Sequence, residues 1–229
     1  MYYNGGYYLW LVLVPLLLGI FAQSRVSSTF KRYSGQLSAS GHTGASAARR
    51  ILDDNGLQDV GIQQVRGELT DHYDPKANVV RLSESVYGST SVAAIGVAAH
   101  ECGHAVQQAT GYFPMKIRSA IIPITNFGSK MAIPLLLVGV IFSLQPLVTI
   151  GLWGYLLIAL FQLVTLPVEF NASTRAVKSL QGMGITSAEE QGVRQVLTAA
   201  AMTYVASLIS AFTQFLRMFL IYGNRRRQH

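Results

Sequence analysis

The stretch His100–His104, with the sequence HECGH, combines residue types that bind zinc and activate water. Residues four apart lie on one face of an α-helix, so the imidazoles of His100 and His104 are expected to point the same way. Two neutral imidazoles at that spacing suit a tetrahedral Zn²⁺, which in catalytic sites also takes a third protein ligand and keeps one position open for water. A chance match is the alternative, and five histidines in 229 residues make it rare. The stretch therefore predicts a hydrolytic zinc centre.

Glu101 adjoins the first histidine and is the expected general base. Zinc lowers the pKa of a water at the open position to about 7 and polarises a carbonyl. Glu101 would take the proton of that water and deliver it to the leaving amine. Cys102 points away from the histidine face and is interpreted as a small buried residue. Because it is the single cysteine, it also excludes an intrachain disulfide.

Three acidic residues follow the motif, namely Glu169, Glu189 and Glu190. Glu169 alone stands at the end of a long apolar stretch, in a helix expected to return to the side of the membrane that carries the histidines. It is either the third zinc ligand or an interfacial carboxylate that ends a membrane span. Glu189 and Glu190 follow Thr186–Ser187, which is typical of the capped and exposed first turn of a helix.

Several further residues are weaker candidates. Tyr204 either donates a hydrogen bond to the oxyanion of the reaction or packs as an ordinary helix tyrosine, and His72 and Tyr73 are open to the same two interpretations. His42 more simply caps or packs beside a glycine-containing turn. The segment Asn78–Ser83 is either an exposed edge strand that pairs with an extended substrate or an ordinary structural strand.

Local patterns predict the elements around the motif. Thr43–Asn55 has the periodicity of an amphipathic helix, and Ser91–Thr110 is predicted to be a capped helix that carries the motif. Val60–Thr70 and Asn78–Leu82 are predicted strands, with a turn at Asp74–Asn78 between them.

The composition indicates a membrane protein. Half of the residues are hydrophobic and only 13% are charged, whereas a soluble domain carries roughly 25% charged residues. The net charge of +7 is therefore interpreted as a sign of topology and of contact with anionic lipid. The basic residues do not alternate with aromatic ones, so we expect no nucleic-acid partner.

Two apolar regions predict membrane-crossing helices. Tyr7–Ala22 lacks the basic n-region of a signal peptide and is interpreted as a retained anchor. Met131–Val168 is 38 residues long without a charge, which as helix extends about 57 Å against a hydrocarbon core of about 30 Å. The region therefore predicts a hairpin of Met131–Leu144 and Leu147–Val168, in which Gln145-Pro146 and Gly151 offer places to turn.

The two ends of the chain give conflicting topology signals. The segment from Gln23 to Arg50 carries five basic and no acidic residues, which predicts that it and the active site face the cytoplasm. A last apolar helix is predicted at Ala199–Tyr222, and polar residues form a stripe along it. If that helix spans, the basic tail Arg225–Arg227 lies outside, against the positive-inside rule. We favour the interpretation that the helix spans the membrane and breaks the rule. The alternative is that its polar stripe keeps the helix in the membrane–water interface. The stripe consists of Thr203, Ser207, Ser210, Thr213, Gln214 and Arg217.

Nearly the whole chain is similar to the YugP-type membrane zinc metallopeptidases of bacteria. Its local core resembles the wider gluzincin group, which includes HtpX-type and CAAX-processing membrane proteases. The resemblance implies that Glu169 is the third zinc ligand. HtpX-like enzymes place an Asp four residues after that ligand to support a zinc histidine, whereas this chain has Ser173, whose hydroxyl can accept a histidine N–H but adds no negative charge. The segments that carry the resemblance are Ser40–Ala45 (SGHTGA), Asn78–Ser83 (NVVRLS), Val97–Ala105 (VAAHECGHA) and Leu166–Ser173 (LPVEFNAS).

Together these features predict a mainly α fold of the α+β class: a multi-pass membrane protein with a small gluzincin-like zinc peptidase domain and a short β-sheet. The predicted parts are an N-terminal transmembrane anchor (1–22), a zinc peptidase domain with the motif helix (23–120), a transmembrane hairpin (121–168), the third-ligand helix and loop (169–200), and a C-terminal apolar helix with a basic tail (201–229).

The predicted function is that of a zinc-dependent endopeptidase embedded in the cell membrane, acting on polypeptides and on membrane proteins among them. One alternative is an intramembrane-cleaving zinc protease, with the Ser91–Thr110 helix inside the bilayer. That class usually takes an aspartate ligand from a later span, and the apolar segments here contain no Asp. The other alternative is a non-catalytic, metal-binding membrane scaffold. The sequence leaves the individual substrate and the oligomeric state open.

Overall fold

The structure, a computed structural model, describes residues 5–222 and confirms a mainly helical fold with a small β-sheet. Met1–Asn4 and the basic tail Arg225–Arg227 lie outside the described residues. The helices are α1 (Gly5–Ser34), α2 (Gly44–Asp54), α3 (Glu84–Tyr87), α4 (Val92–Ala109), α5 (Phe113–Ile141), α6 (Gln145–Gly182) and α7 (Ser187–Tyr222), and the strands are β1 (Gly61–Val65), β2 (His72–Asp74) and β3 (Val79–Ser83).

The described residues fall into two compact units. The motif unit comprises Ser24–Lys116 and Pro167–Met202, and the membrane unit comprises residues 5–23, 117–166 and 203–222. The long helices α1, α5, α6 and α7 contribute residues to both. Each unit has its own architecture and is described separately.

The motif helix α4 lies at the centre of the motif unit. Ser91 begins it, as predicted, because its side chain accepts a hydrogen bond from the Ala94 N–H at 3.2 Å. Glycine ends it, since Gly111 just beyond has φ = +63°. Alanines on its buried faces let α2 and the sheet approach closely, and these residues form the core of the unit with Ile51 and Leu82.

The sheet differs from the prediction in two ways. Its order is β1-β3-β2, with β1 parallel and β2 antiparallel to β3. The predicted strand Val60–Thr70 is interrupted, because Gly67 and Leu69 have φ of +101° and +54°, and the short strand β2 follows. Of the two interpretations of Asn78–Ser83, the structure supports the ordinary structural strand, since β3 is hydrogen-bonded on both sides and the edges of the sheet are β1 and β2.

Four helices in the described part of the chain are long and apolar enough to cross a membrane, over Leu9–Ser34, Phe113–Ile141, Gln145–Gly182 and Ser187–Ile221. All four are longer than the predicted stretches. The first helix continues past Ala22 to Ser34, and the last begins at Ser187 rather than Ala199. The helix α5 begins at Phe113, before the predicted Met131, and α6 continues past Val168 to Gly182. The predictions ended each helix where its apolar residues end. Helical hydrogen bonding does not require apolar side chains, so the helices continue into polar segments.

The membrane unit contains the predicted hairpin, formed by α5 and α6. Its turn lies at residues 142–144, before the predicted Gln145-Pro146, which instead occupies the first turn of α6, where a proline sacrifices no hydrogen bond. Gly151 was expected at the turn but lies inside α6. A Cβ there would come 2.5 Å from Leu136 Cγ, so this glycine permits close contact between the two helices.

Candidate metal centre

Three side chains predicted as zinc ligands lie together in the motif unit. Nε2 of His100 is 3.2 Å and Nε2 of His104 is 3.6 Å from Oε2 of Glu169, and the candidate donor atoms all lie within 4.8 Å of one another. Donors at 2.0–2.1 Å from a tetrahedral zinc would be roughly 3.4 Å apart. The geometry and chemistry of this donor set therefore fit a zinc ion.

The glycine of the motif brings the ligand-bearing helices together. A Cβ on Gly103 would lie 2.7 Å from the carbonyl oxygen of Ala172, which is closer than van der Waals contact allows. Gly103 therefore permits backbone-to-backbone packing of α4 against α6. This contact places the face of α4 that carries the histidines opposite Glu169, which is 2% exposed.

A buried glutamine orients His104. Nδ1 of His104 is 3.0 Å from Oε1 of Gln107, while the amide nitrogen of Gln107 donates to the Val168 carbonyl at 2.8 Å and to Asn171 Oδ1 at 3.0 Å. Because these two acceptors fix the amide nitrogen, the amide oxygen must face His104 and accept its Nδ1–H. The Nε2 lone pair of His104 is then directed to the metal position.

Gln107 is fully buried, and the sequence analysis missed it. Its position three residues after His104, on the same helix face, was the available signal. Asn171 extends the contacts, because its Oδ1 also accepts from Arg175 Nε at 2.8 Å. A chain of hydrogen bonds thus runs from His104 through amide side chains to a guanidinium.

Ser173 occupies the corresponding position beside His100. Its Oγ is 3.2 Å from His100 Nδ1, so the hydroxyl that the sequence suggested as a support does reach the imidazole. The serine lies one helical turn after Glu169 on α6. One helix therefore supplies both a candidate ligand and the support of another.

Glu101 lies beside the candidate ligands and is held by the sheet. The backbone N–H of Tyr73, on β2, donates to Glu101 Oε2 at 3.0 Å, and Glu101 is 8% exposed. The edge strand that meets the site is therefore β2, which the sequence analysis did not predict. Oε1 of Glu101 takes no part in this contact.

The weaker candidates lie elsewhere or act differently. The Tyr73 hydroxyl donates to Asn78 Oδ1 at 3.1 Å, so the backbone of this residue, rather than its phenol, contacts the site residue Glu101. Nδ1 of His72 is 2.8 Å from the Thr70 carbonyl oxygen, and Nδ1 of His42 is 3.2 Å from Ser46 Oγ. Tyr204 belongs to the membrane unit, and its role as an oxyanion donor stays a prediction.

The other acidic and thiol groups have structural partners. Glu189, expected to be exposed, is buried and accepts backbone N–H groups of Ala39 at 2.6 Å and Thr186 at 2.7 Å. It caps α7 and fastens the Ala39 loop to it. Cys102 is fully buried with its Sγ 3.6 Å from the Ala48 carbonyl oxygen. Burial raises the pKa of its thiol well above the ordinary value, and its Sγ contacts α2 rather than a candidate ligand.

Comparisons with known proteins agree with the chemistry of this donor set. A family model described as "Putative neutral zinc metallopeptidase" matches residues 8–223. The "Putative membrane protease YugP" of Bacillus subtilis (strain 168) is 46% identical over 223 residues, which cover 97% of this chain and 99% of that protein. No solved structure matches the chain.

Proposed function

Because the chain belongs to this family of zinc metallopeptidases, we propose that it is a membrane-embedded endopeptidase of the gluzincin type. The observation that carries the proposal is the meeting of His100, His104 and Glu169, with Glu101 alongside on α4. The first three residues would bind zinc. When bound, zinc polarises the peptide carbonyl and acidifies water.

The chain's own groups supply positioning and proton transfer. Gln107 and Ser173 hold the two imidazoles with their Nε2 atoms toward the metal position. Glu101 accepts the Tyr73 N–H on one oxygen, which restrains the carboxylate while its other oxygen takes a proton and passes it to the leaving amine. A general base constrained in this way retains its orientation without being a metal ligand.

The decisive experiment separates zinc binding from hydrolysis in the full-length protein. Glu101→Gln leaves the three donors in place and removes the base, so about one zinc per chain should remain while hydrolysis of casein falls about 10²- to 10⁴-fold. Glu169→Gln should instead weaken zinc binding. Glu84→Gln, a change at an exposed glutamate, is the matched control and should alter neither property.

The proposed roles fail if the two carboxylates behave the other way round. Loss of zinc in Glu101→Gln, with retention in Glu169→Gln, would mean that the ligand and the base were misassigned. Zinc-loaded wild type that cleaves neither casein nor membrane proteins would instead support the alternative of a metal-binding scaffold.

We favour cleavage outside the hydrocarbon core over cleavage within it. The motif helix α4 is not among the four apolar helices of the described residues, and Glu169 follows the end of the apolar run at Val168, with Ser173 and Arg175 within two further turns of α6. These features support a site in a domain next to the membrane.

We also propose that this site faces the cytoplasm, because the basic segment from Arg25 to Arg50 follows the first span. Single cysteines at Ala77 and Ser187, both exposed in the motif unit, should resist an impermeant thiol reagent in intact cells and react once the cells are opened. Cys102→Ala provides the background. Labelling of both positions in intact cells would place the site on the opposite face.

A further inference from the structure

A cavity of about 420 Å³ lies within the membrane unit between α1, α6 and α7. Its walls include six neutral polar side chains, most of them from the polar stripe of α7. None of the lining residues that the structure describes is Asp, Glu, Lys, Arg or His. The polar residues are Gln23, Tyr155, Thr203, Ser207, Ser210 and Gln214.

Most of these polar groups have no hydrogen-bond partner within the described part of the chain. The side chains of Gln23, Ser207, Ser210 and Gln214 make no hydrogen bond to any residue in the range 5–222. The hydrocarbon of a membrane provides no hydrogen-bond partner for such groups, so polar residues in spanning helices are expected to face protein, water or a bound molecule. The cavity therefore has hydrogen-bonding capacity that α1, α6 and α7 do not use.

The length and chemistry of the cavity favour a helix that lies along its α7 wall and inserts a side chain. Its α7 wall runs from Thr203 to Gln214, which is about 16 Å along the helix axis. A lipid phosphate would call for arginine or lysine, and an acyl chain gains nothing from hydroxyls and amides. Small residues such as Gly19 and Ala206 in the walls allow another helix to come close, as in many transmembrane helix pairs.

We propose that this cavity binds a transmembrane helix of a polypeptide substrate through a neutral polar side chain such as Asn, Ser or Thr. The inference rests on the proposed function and narrows its substrate class to membrane proteins with a polar residue inside a span. The hydroxyls and amides of the cavity exchange hydrogen bonds with that residue, and the small residues admit its helix.

The test measures helix binding without turnover. Full-length Glu101→Gln protein in lipid nanodiscs is titrated with two fluorescent 23-residue Leu/Ala helices, one with Asn and one with Leu at the centre. The Asn helix should bind about 3- to 10-fold more tightly, the range expected for interhelical hydrogen bonds in membranes. Equal affinity of the two helices would overturn the proposal.

Two variants locate the binding site. A Cβ on Gly19 meets no atom within 4 Å, so Gly19→Leu can fill the cavity without a clash, and Gln214→Leu removes an amide without adding much volume. Both should reduce the affinity for the Asn helix to that for the Leu helix, while zinc content stays at one per chain. Ala120→Leu adds similar bulk at an exposed position of α5 and should change neither affinity.

Other occupants predict different results. If a photoactivatable phospholipid labels the cavity wall and Gly19→Leu abolishes that labelling without affecting the Asn helix, the cavity is a lipid site and the proposal is wrong. Because helix binding is measured in the inactive protein, it does not depend on whether wild type cleaves casein. Failure of the proposed function and failure of this inference therefore remain distinguishable.

Discussion

The motif unit and the membrane unit contain buried side chains that differ in their hydrogen bonding. In the motif unit, the amide of Gln107 uses its oxygen and both of its donors within the protein, although the residue is fully buried. In the membrane unit, the buried hydroxyls of Thr125 and Thr165 have no hydrogen-bond partner among residues 5–222. Buried polar groups in folded proteins are nearly always paired.

The difference follows from what each unit has to do. A metal site requires donors fixed to within a fraction of an ångström, and fully satisfied hydrogen bonds supply that rigidity. Spanning helices need only satisfy their backbones, so their side-chain groups can remain available to other molecules. The comparison predicts that replacing a buried polar side chain has a large effect on stability or zinc binding in the motif unit and a small effect in the membrane unit.

The largest expected effect is the loss of zinc when both histidines are removed. The double variant His100→Ala/His104→Ala should contain essentially no zinc, because a single carboxylate does not retain the ion. The double variant Ser207→Ala/Ser210→Ala, which removes two polar groups of the membrane unit, should keep about one zinc per chain. Elemental analysis of purified protein measures both. Zinc at the wild-type level without the histidines would end the assignment of the motif as the metal site.

The next effect compares two glutamines. Gln107→Leu removes the acceptor of His104 Nδ1–H and leaves that group buried without a partner, so zinc affinity should fall 10- to 100-fold. The same change also removes the hydrogen bonds that Gln107 donates to the Val168 carbonyl and to Asn171, and it should cost about 1–3 kcal/mol in the free energy of unfolding. Gln214→Leu, in the membrane unit, should leave zinc affinity unchanged and should not destabilise the protein. Competition with a zinc chelator and thermal unfolding give the two quantities.

The third effect compares two glycines. Gly103→Ala places a methyl group against the Ala172 backbone, which cannot move aside as a flexible side chain would. We expect a loss of about 1–3 kcal/mol in the free energy of unfolding. Gly19→Ala enters open space in the membrane unit and should be neutral or stabilise by up to about 1 kcal/mol through helix propensity. Similar losses for both variants would contradict the packing difference between the units.

The sequence predicted the parts of this arrangement that depend on local spacing. The motif helix, its Ser91 cap and the apolar spans all follow from periodicity within one element. The support of His104 by Gln107 does not, because it requires knowing that α4 packs against α6 with the Val168 carbonyl in reach. The sequence left the position of β3 in the sheet open for the same reason, since its parallel pairing with β1 joins segments that no hairpin connects.

The smallest effect concerns the weaker of the two imidazole supports. Ser173 contacts His100 Nδ1 at 3.2 Å in a partly exposed setting, where water can replace a lost hydroxyl. Ser173→Ala should therefore lower zinc affinity by about 10-fold, at the low end of the range for such partners. Thr174→Ala is the matched control, because the hydroxyl of Thr174 bonds to the Phe170 carbonyl rather than to a histidine.

Ser173→Asp decides whether hydrogen bonding or charge matters more at this position. A carboxylate there would accept the His100 N–H and add a negative charge near the zinc, but it would also stand one turn from the carboxylate of Glu169. With zinc bound, the attraction to the dication should exceed the repulsion between the two acids, so affinity should equal or exceed that of wild type. Without zinc, the same repulsion should make Ser173→Asp less stable than Ser173→Ala. If Ser173→Asp binds zinc more weakly than Ser173→Ala, the position does not tolerate a negative charge. Repulsion between Glu169 and an acid at position 173 would then explain why this chain has a hydroxyl there.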